Sequence, residues 1–376
     1  MQPDAENKKI CREKSEEFFI ASQWRLLWWK FKKHRLAFVS AVILALFCFV
    51  AIFCEFISPN SPQKRNAQRI YAPRQKIHFF DEDGFHWRPF VNGIKGGSLD
   101  ENWIRSYEEN KSKRLVIRFF VKGDSYKLLG LIRMDRHLFG LEEKGQTLYL
   151  LGGDDLGKDL LSQIIYGSRV SLSIGLVGVF LSLLIGCVVG GISGYFGGAV
   201  DTVIQRVIEM LMSLPRLPLW MGLGAALPAD WPPLWVYFGM VVILSLIGWT
   251  GLARVVRGKV IALREEDFAM AARLAGASEA RIIRKHLLPS FISYLIVNVT
   301  LAVPAMILAE TTLSWLNLGL KAPVVSWGVL LQKAQSVQIM AEYPWILSPA
   351  IFVIIVVLAF NFLGDGLRDA ADPYAR

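Results

Sequence analysis

The feature that most constrains this chain is a series of apolar stretches, each near the length that a bilayer-spanning helix needs. A helix that crosses the hydrocarbon core uses about 20 mainly apolar residues. Six stretches approach or exceed that length: residues 36–57, 170–196, 200–227, 234–253, 291–313 and 345–363. Since 53% of the residues are hydrophobic, the sequence predicts an all-α polytopic membrane protein with six transmembrane helices.

The basic charge of the chain is concentrated beside these stretches. A net charge of +10 suits either a nucleic acid or a membrane surface as partner. Much of it lies in two blocks, residues 8–35 and 254–285, which flank apolar stretches. Because Lys and Arg concentrate on the cytoplasmic side of membrane proteins, we expect contact with lipid and not with nucleic acid. Both termini and the second block are then cytoplasmic.

The ends of the apolar stretches divide the chain into five parts. These are a cytoplasmic N-terminus (1–35), the first transmembrane helix (36–57), a periplasmic insertion (58–168), a core of five transmembrane helices (169–365) with a cytoplasmic loop at 254–290, and a cytoplasmic C-terminus (366–376). Strand-like runs at 114–121 and 147–151 predict a mixed α/β insertion. Residues 18–31 predict an amphipathic helix at the membrane interface, with a frayed polar tail as the alternative.

Glycines recur at every fourth position near the end of the second stretch. Gly186, Gly190, Gly194 and Gly198 fall on one helical face, where the absence of side chains lets another helix approach. We interpret this face as a helix-packing surface. A flexible, glycine-rich exit from the membrane is the alternative.

The third stretch differs from the others because Pro215 and Pro218 interrupt it. Proline frees backbone carbonyl groups, which neighbouring helices or a water-lined cavity must satisfy. The candidates for lining a path through the membrane are Met210, Met212, Ser213, Leu214, Pro215 and, at the end of the fifth stretch, Glu310. The alternatives are lipid-facing packing of the methionines and pairing of the carboxylate at the outer mouth.

The segment between the fourth and fifth stretches carries too many charges to enter the membrane. Its pattern predicts two short helices separated at Gly276, which would form a cytoplasmic knob for a soluble partner. Small side chains would allow close approach, and arginines would pair with acidic groups. The residues assigned to this docking role are Asp267, Ala271, Ala272, Arg273, Gly276, Arg281, Arg284 and Pro289. On these observations alone, an ordinary amphipathic surface loop is an equal alternative.

Residues that could perform catalysis or bind a cofactor are not grouped in this sequence. Residues 152–159 have the spacing of a phosphate-binding loop, but Asp159 stands where Ser or Thr would hold magnesium. The four cysteines lack a CxxC spacing, and the five histidines are scattered. We therefore predict no catalytic residue, no metal site and no cofactor in this chain, and a function other than that of an enzyme.

The docking segment resembles the loop of the binding-protein-dependent importer permeases that contacts their ATPase subunits. Ala271, Ala272 and Gly276 match the Glu-Ala-Ala-x-x-x-Gly pattern of that family, and Leu288 and Pro289 match its ending. The chain departs from the pattern in two places, because Met270 replaces the glutamate and His286 replaces an isoleucine. The resemblance implies docking at this loop without a salt bridge at position 270.

Further stretches resemble the second permease of dipeptide, oligopeptide and nickel importers. They are residues 153–172, 310–319, 326–328 and 361–373. The resemblance implies the six-helix fold of such permeases, in a bacterial inner membrane, forming half of a translocation pore. It further implies a homologous second permease, two ATPase subunits that bind ATP and magnesium, and a periplasmic or lipid-anchored substrate-binding protein as partners.

Peptides are the expected cargo, and two alternatives stay open from the sequence. The same architecture could import nickel chelates or another small solute. A different class, a membrane-anchored ligand sensor, would need a signalling domain beyond the last span, and residues 364–376 provide none. Residues 58–150 are longer than the usual external loop of the family and resemble no protein that can be named.

Overall fold

The computed structural model describes residues 23–81, 84–99, 105–143, 145–228 and 230–371. Nine helices of eight or more residues lie in these ranges: α1 Gln23–Lys33, α2 Arg35–Ile52, α3 Leu160–Phe196, α4 Gly198–Ser213, α5 Arg216–Ala225, α6 Pro233–Leu263, α7 Asp267–Leu274, α8 Ile292–Trp315 and α9 Ser348–Ala371. Five segments are long and apolar enough to cross a membrane: α2, α3, α6, α8 and Pro344–Ala371, which contains α9. The prediction of a polytopic helical membrane protein is confirmed.

The third predicted span is broken into α4 and α5 and is not among those five segments. A residue that precedes proline is disfavoured in the helical conformation, and Leu214 is extended, with φ −79° and ψ 134°. The resulting helices have only 16 and 10 residues. The proline that marked this stretch in the sequence therefore divides it.

The glycine face of α3 packs closely against α6. A Cβ atom on Gly194 would lie 2.8 Å from the carbonyl oxygen of Arg257, and one on Gly186 would lie 3.1 Å from Leu252. Gly190 is equally confined, because a Cβ atom there would lie 2.9 Å from Cβ of Val256. These three glycines therefore lie at the contact between α3 and α6.

Gly198 does not belong to that face, so its assignment to helix packing was wrong. Helix α3 ends at Phe196, and Gly197 and Gly198 both have positive φ, at 66° and 53°. A Cβ atom on Gly198 would meet nothing within 4 Å. The regular spacing extends past the helix, and the last glycine allows the chain to turn into α4.

The two ends of the described chain pack together beside α2. Phe31 of α1 is buried with Ala37 and Ala370, and a Cβ atom on Gly366 would overlap the side chain of Ala37. Trp28 stacks on Phe31 with ring centroids 6.0 Å apart and remains half exposed. Part of the predicted amphipathic helix, residues 18–22, lies outside the described residues, and its interfacial placement stays a prediction.

The insertion contains a four-stranded antiparallel sheet in the order β1-β2-β3-β4. Its strands are β1 Ile77–Asp81, β2 Gly84–Leu99, β3 Arg105–Leu128 and β4 Ile132–Leu141. Val91, Leu115, Ile117 and Leu141 of these strands form a small core together with Leu148, which follows β4. The described residues between α2 and α3 contain the four-residue helix Cys54–Ile57, which follows the first span, and one 3₁₀ turn, Ala67–Arg69. The predicted strand at 114–121 lies within β3, whereas the one predicted at 147–151 was wrong, because these residues belong to no strand. The mixed α/β character of the insertion stays a prediction.

The insertion is attached to the helices through buried polar contacts. Asp154 is fully buried and accepts hydrogen bonds from the backbone N–H groups of Leu156 and Lys158. Lys333 Nζ lies 2.6 Å from Asp154 Oδ2 and 2.5 Å from Asp155 Oδ1. The segment that resembled a phosphate loop is thus a structural turn. Its aspartates hold the loop after α8 against the start of α3.

Asp159 is a second buried carboxylate at this junction. It caps α3 by accepting hydrogen bonds from the N–H groups of Leu161 and Ser162, and Asn60 Nδ2 donates to it at 3.2 Å. Burial raises the pKa of Asp159 to about 6, although the hydrogen bonds from Ser162 and Asn60 oppose that effect. Asp159, which stands where a phosphate-binding loop has its magnesium-binding Ser or Thr, is therefore the N-cap of α3.

Replacing Lys333 with Met tests the attachment of the insertion. The change leaves the Asp154 carboxylate buried without its cation, and a broken buried ion pair costs about 3 kcal/mol or more. We expect the purified Lys333→Met protein to unfold at a clearly lower temperature than the unmodified chain. The double variant Asp154→Asn with Lys333→Met removes both charges and should recover part of the loss. Equal melting temperatures for Lys333→Met and the unmodified chain would contradict this account.

Candidate functional site: the loop between α6 and α8

The loop that joins α6 to α8 lies at the end of the helices opposite the insertion. We call these two ends the loop end and the insertion end. In α7, Ala269 and Ala272 are buried against Val256 and Val260 of α6. The small side chains bring the α7 backbone close to α6. This helix is therefore a packed part of the bundle and not a loose surface loop.

Gly276 ends α7 through a Schellman motif. Its φ is +76°, its N–H group donates to Arg273 O at 3.0 Å, and the N–H group of Ala277 donates to Ala272 O at 3.1 Å. This pair of bonds satisfies carbonyls that a helix end leaves free, and it favours glycine at the left-handed position. The predicted break at Gly276 is confirmed.

The second half of the loop is a short helical segment that contains a π-helical stretch. Glu279–Arg281 is followed by the π-helical Ile282–Leu287 and then by Leu288–Ser290. Ile282 and Leu287 are buried in the same cluster as the α7 alanines. Pro289 lies in the final turn before α8 begins at Ile292. The wider turn lets two residues five apart both face the bundle.

Two arginine side chains bind the loop to the end of α3 through hydrogen bonds and a cation–π contact. Arg273 lies 5.6 Å from the centre of the Tyr195 ring and donates to the Tyr195 hydroxyl at 3.3 Å. Arg264 donates to the carbonyl oxygens of Gly194 and Tyr195, each at 3.1 Å. These contacts connect the loop directly to the end of the long helix α3.

A bidentate ion pair connects α4 to α6 at this same end. Arg257 Nε and Nη2 each lie 2.6 Å from one carboxylate oxygen of Asp201. Ser193 of α3 donates to Asp201 as well, at 2.5 Å. Such fork-like pairs fix orientation as well as distance. The loop-end portions of α3, α4 and α6 are thus held as one unit.

The face of the loop that points away from the bundle is apolar at its centre. Leu274 is 86% exposed, and Met270, one turn earlier, is 43% exposed. Phe268 is 40% exposed on an adjoining side. Large exposed side chains on a short, rigid element are typical of a contact surface for another protein. We call Phe268, Met270 and Leu274 the apolar ridge.

The structure separates the residues that the sequence assigned to docking. Asp267, Ala271, Arg281 and Arg284 are exposed, whereas Ala272 faces the bundle. Among the described residues, Arg281 and Arg284 form no ion pair, so both charges remain available at the rim of the ridge. Sequence reasoning missed Leu274, because one exposed leucine is not distinguishable from a core residue in so short a helix.

The candidates for a path through the membrane fall into two groups. Met210, Met212, Ser213, Leu214 and Pro215 are all exposed at the break between α4 and α5. Glu310 is fully buried in α8 instead. Its Oε1 accepts hydrogen bonds from Ser314 and Ser326 at 2.8 Å each, and Ser171 lies 3.5 Å from Oε2. In this conformation Glu310 holds the outer loop to α3 and α8 and contacts no open path.

An ion pair at the insertion end was absent from the sequence reasoning. Arg169 of α3 binds both carboxylate oxygens of Glu55, at 2.5 and 2.7 Å, and it donates to the carbonyl oxygens of Ala51 and Ile52. These contacts fix the end of the first span to the second. The two residues are 114 positions apart, so no local pattern indicates the pair.

Family comparison places this arrangement among transport proteins. Residues 162–376 match the family described as binding-protein-dependent transport system inner membrane component. Residues 22–73 match the N-terminal transmembrane domain of oligopeptide transport permease C. Among solved structures, a chain of the MetNI methionine ABC transporter in an inward-facing conformation covers 56% of this chain and 97% of its own length, with 16% identity and a TM-score of 0.43.

Individual relatives agree with the family match. The dipeptide transport system permease protein DppC of Bacillus subtilis is 40% identical over 60% of this chain and 68% of its own length. The oligopeptide permease protein OppC of the same species is 37% identical over 60% of this chain and 72% of its own length.

A third relative corrects one expectation about the insertion. DppC of Lactococcus lactis is 31% identical over 95% of this chain and 91% of its own length. An alignment of that extent reaches across the insertion, so the statement that residues 58–150 resemble no known protein is wrong. Because the family match extends over more than half of the sequence, the chain belongs to the inner membrane components of binding-protein-dependent transport systems, in the group of the dipeptide and oligopeptide permeases.

Proposed function

We propose that this chain is one of two pore-forming permease subunits in an ATP-driven importer of short peptides. The observation that carries the proposal is the rigid loop at 264–290, with one face packed into the bundle and an exposed apolar ridge on the other. Family membership and the peptide permeases among the relatives support the same function.

The loop is the point at which nucleotide energy enters this subunit. An ATPase partner binds ATP and magnesium, and the apolar ridge fits a groove on that partner, with Arg281 and Arg284 against acidic groups at its edge. When the ATPase dimer closes on ATP, the docked loop moves with it. Because Arg273 and Arg264 join the loop to α3, the bundle moves as a unit between its two arrangements.

A second, homologous permease covers the exposed side of α4 and α5. Helix α4 has 16 residues, and Ile208 is the only one of them that is buried. Val203, Val207 and Met210 are exposed there by 47% or more. A substantial apolar side on a helix needs lipid or protein against it. The break at Pro215 then lies near the path between the two subunits, and α4 with α5 forms the sixth crossing.

Charge distribution supports the orientation of the subunit. The loop end carries Arg254, Lys259, Arg264, Arg284 and Lys285. Basic residues near span ends favour the cytoplasmic side. The loop and both termini are then cytoplasmic, and the insertion faces the periplasm, where a periplasmic or lipid-anchored binding protein delivers the cargo.

Uptake by a reconstituted complex tests the peptide cargo. The chain is assembled in proteoliposomes with its partner permease, ATPases and binding protein, and uptake of a labelled dipeptide is measured with ATP on the ATPase side. We expect ATP-dependent accumulation that unlabelled di- and oligopeptides abolish and that nickel chelates leave unchanged. Accumulation of a chelate or a sugar without any peptide uptake would overturn the cargo assignment.

A further inference from the structure

The turn between β3 and β4 has an unusual composition. The N–H groups of Gly130 and Leu131 donate to the carbonyls of Lys127 and Leu128, at 3.1 and 3.0 Å. Leu129 and Gly130 have positive φ, 50° and 76°. The connection between the strands has three residues, 129–131, because Leu128 pairs with Ile132. A turn with positive φ at both central residues favours Asn-Gly or Asp-Gly, and leucine is disfavoured at the first of these positions. An apolar residue occupies the turn despite that conformational cost.

The apolar character continues on both sides of the turn. Leu129 is 53% exposed, Leu131 is 84% exposed and Ile132 is 61% exposed. These side chains are directed away from the sheet core, which lies further back along β3 and β4 around Leu115, Ile117 and Leu141. Surface turns consist mainly of glycine, proline and small polar residues, so three large exposed apolar side chains are unusual at this position. We call residues 127–133 the hairpin tip.

The hairpin tip lies close to the outer end of the first span. His137 Nδ1 lies 2.6 Å from the carbonyl oxygen of Ser58, immediately after that span. The rings of Phe120 and Phe56 are 6.2 Å apart. Burial, followed by the nearby carboxylate of Glu55, raises the pKa of Tyr126. Tyr126 is only two residues from Leu128, so the hairpin passes the end of the first span shortly before it reaches the tip.

An exposed aromatic strip joins the side of the first span to the sheet. Phe49 is 53% exposed on α2, and its ring centroid is 4.8 Å from that of Phe53. Phe56 follows at the end of the span, and Phe120 is 62% exposed above it. Aromatic side chains concentrate at the boundary between hydrocarbon and water. These rings connect the exposed side of the first span with β3.

Basic side chains lie opposite each other on the two strands beside the tip. In the register of β3 and β4, Lys127 lies opposite Arg133, and Lys122 lies opposite Arg136. Like charges directly opposite each other destabilise a strand pair. Asp135 binds Lys122 at 2.8 Å, but in the part of the chain that the structure describes, Lys127 and Arg133 have no ion-pair partner. A pair of exposed cations flanking an apolar turn matches the phosphate groups above an acyl layer.

We propose that the hairpin tip is a membrane anchor in the outer leaflet. Leu129, Leu131 and Ile132 enter the interfacial layer, and Lys127 and Arg133 bind the phosphate groups of anionic phospholipids. The anchor fixes the insertion relative to the first span, so that the sheet keeps one orientation over the outer face of the bundle. This inference holds whatever cargo the importer carries.

Fluorescence quenching by lipid tests the anchor in the full chain. The four natural cysteines are replaced, Leu131→Cys is labelled with an environment-sensitive fluorophore, and the protein is placed in nanodiscs of phosphatidylcholine with or without phosphatidylglycerol. We expect lipids with a quencher near the headgroup to quench this label at least about twofold more than a label at Glu108→Cys. Glu108 is exposed at the opposite end of the same strand.

The charge component has its own variant. Lys127→Glu with Arg133→Glu, in the labelled protein, should remove the additional quenching that phosphatidylglycerol produces, while the sheet still folds because both side chains are exposed. Equal quenching at positions 131 and 108 would overturn the proposal. A label at 131 that lipid leaves unquenched and that purified binding protein shields would overturn it as well, because the tip would then be a protein-docking surface.

Discussion

Leu274→Asp should abolish transport while the permease itself remains folded. Leu274 is 86% exposed and lies at the centre of the apolar ridge, so the new charge disturbs no contact within the chain. Under the proposed function, the ATPase encloses this position in the assembled importer. An anchor side chain of this kind contributes about 2 kcal/mol or more, which corresponds to roughly a 30-fold loss of affinity. Burial of an unpaired carboxylate adds to that loss.

Two measurements report the result. ATPase subunits should no longer co-purify with Leu274→Asp, and peptide uptake in proteoliposomes should fall to background. Val337→Asp is the matched control, because Val337 is 76% exposed on the loop between α8 and α9. Normal co-purification and uptake with Leu274→Asp would show that the ridge is not the docking surface.

Gly190→Val should prevent the helices from packing. At this position a Cβ atom would lie 2.9 Å from Cβ of Val256 and would overlap the carbonyl oxygen of Ala253. A backbone carbonyl cannot rotate away as a side chain can, so α3 and α6 must separate. We expect a destabilisation of about 3 kcal/mol or more. The variant should be lost from the monodisperse fraction on size-exclusion chromatography.

Gly251→Val provides the control for this prediction. Gly251 lies in α6, and a Cβ atom there would meet nothing within 4 Å. The substitution adds the same side chain to a helix of the same pair, but on a side with open space. If Gly190→Val and Gly251→Val eluted and melted alike, close contact at the glycine face would not hold these helices together.

Much of the helical architecture was predictable from the sequence because length and hydropathy determine which segments enter a bilayer. Five of the six predicted spans have corresponding apolar helices. The four-residue spacing of the glycines indicated the glycine face. The assignment of Gly198 to this face was wrong because the helical period was extended past the end of α3 at Phe196. The broken third span was signalled by Pro215, although its two helices are shorter than the apolar stretch.

The pattern predicted the helix–Gly–helix loop between α6 and α8, but it did not predict which face of the loop packs against the bundle. The sequence assigned both Ala271 and Ala272 to docking, whereas the structure buries Ala272 with Ala269 and leaves Ala271 exposed. An eight-residue helix spans barely two turns, so several faces fit the same sequence equally well. The π-helical stretch shifts the next face again. Only tertiary contact with α6 decides which side chains remain for the partner.

The buried polar contacts were not predictable at all. Lys333 binds Asp154 across 179 positions, and Arg169 binds Glu55 across 114. Such pairs depend on the relative placement of whole helices, which no local spacing reports. Glu310 illustrates the same point, because a charged residue in an apolar stretch suggested a path. The surrounding serines give that carboxylate a structural role in this conformation.

Cross-linking at the apolar ridge tests the central claim most directly. Leu274→Cys is placed in a chain without its natural cysteines, and the complete importer is assembled in membrane vesicles of known orientation. A short bifunctional reagent should link position 274 to an ATPase subunit, and a membrane-impermeant thiol reagent should reach it only from the cytoplasmic side when the ATPase is absent. Labelling of this cysteine from the periplasmic side, with no link to the ATPase, would contradict the account.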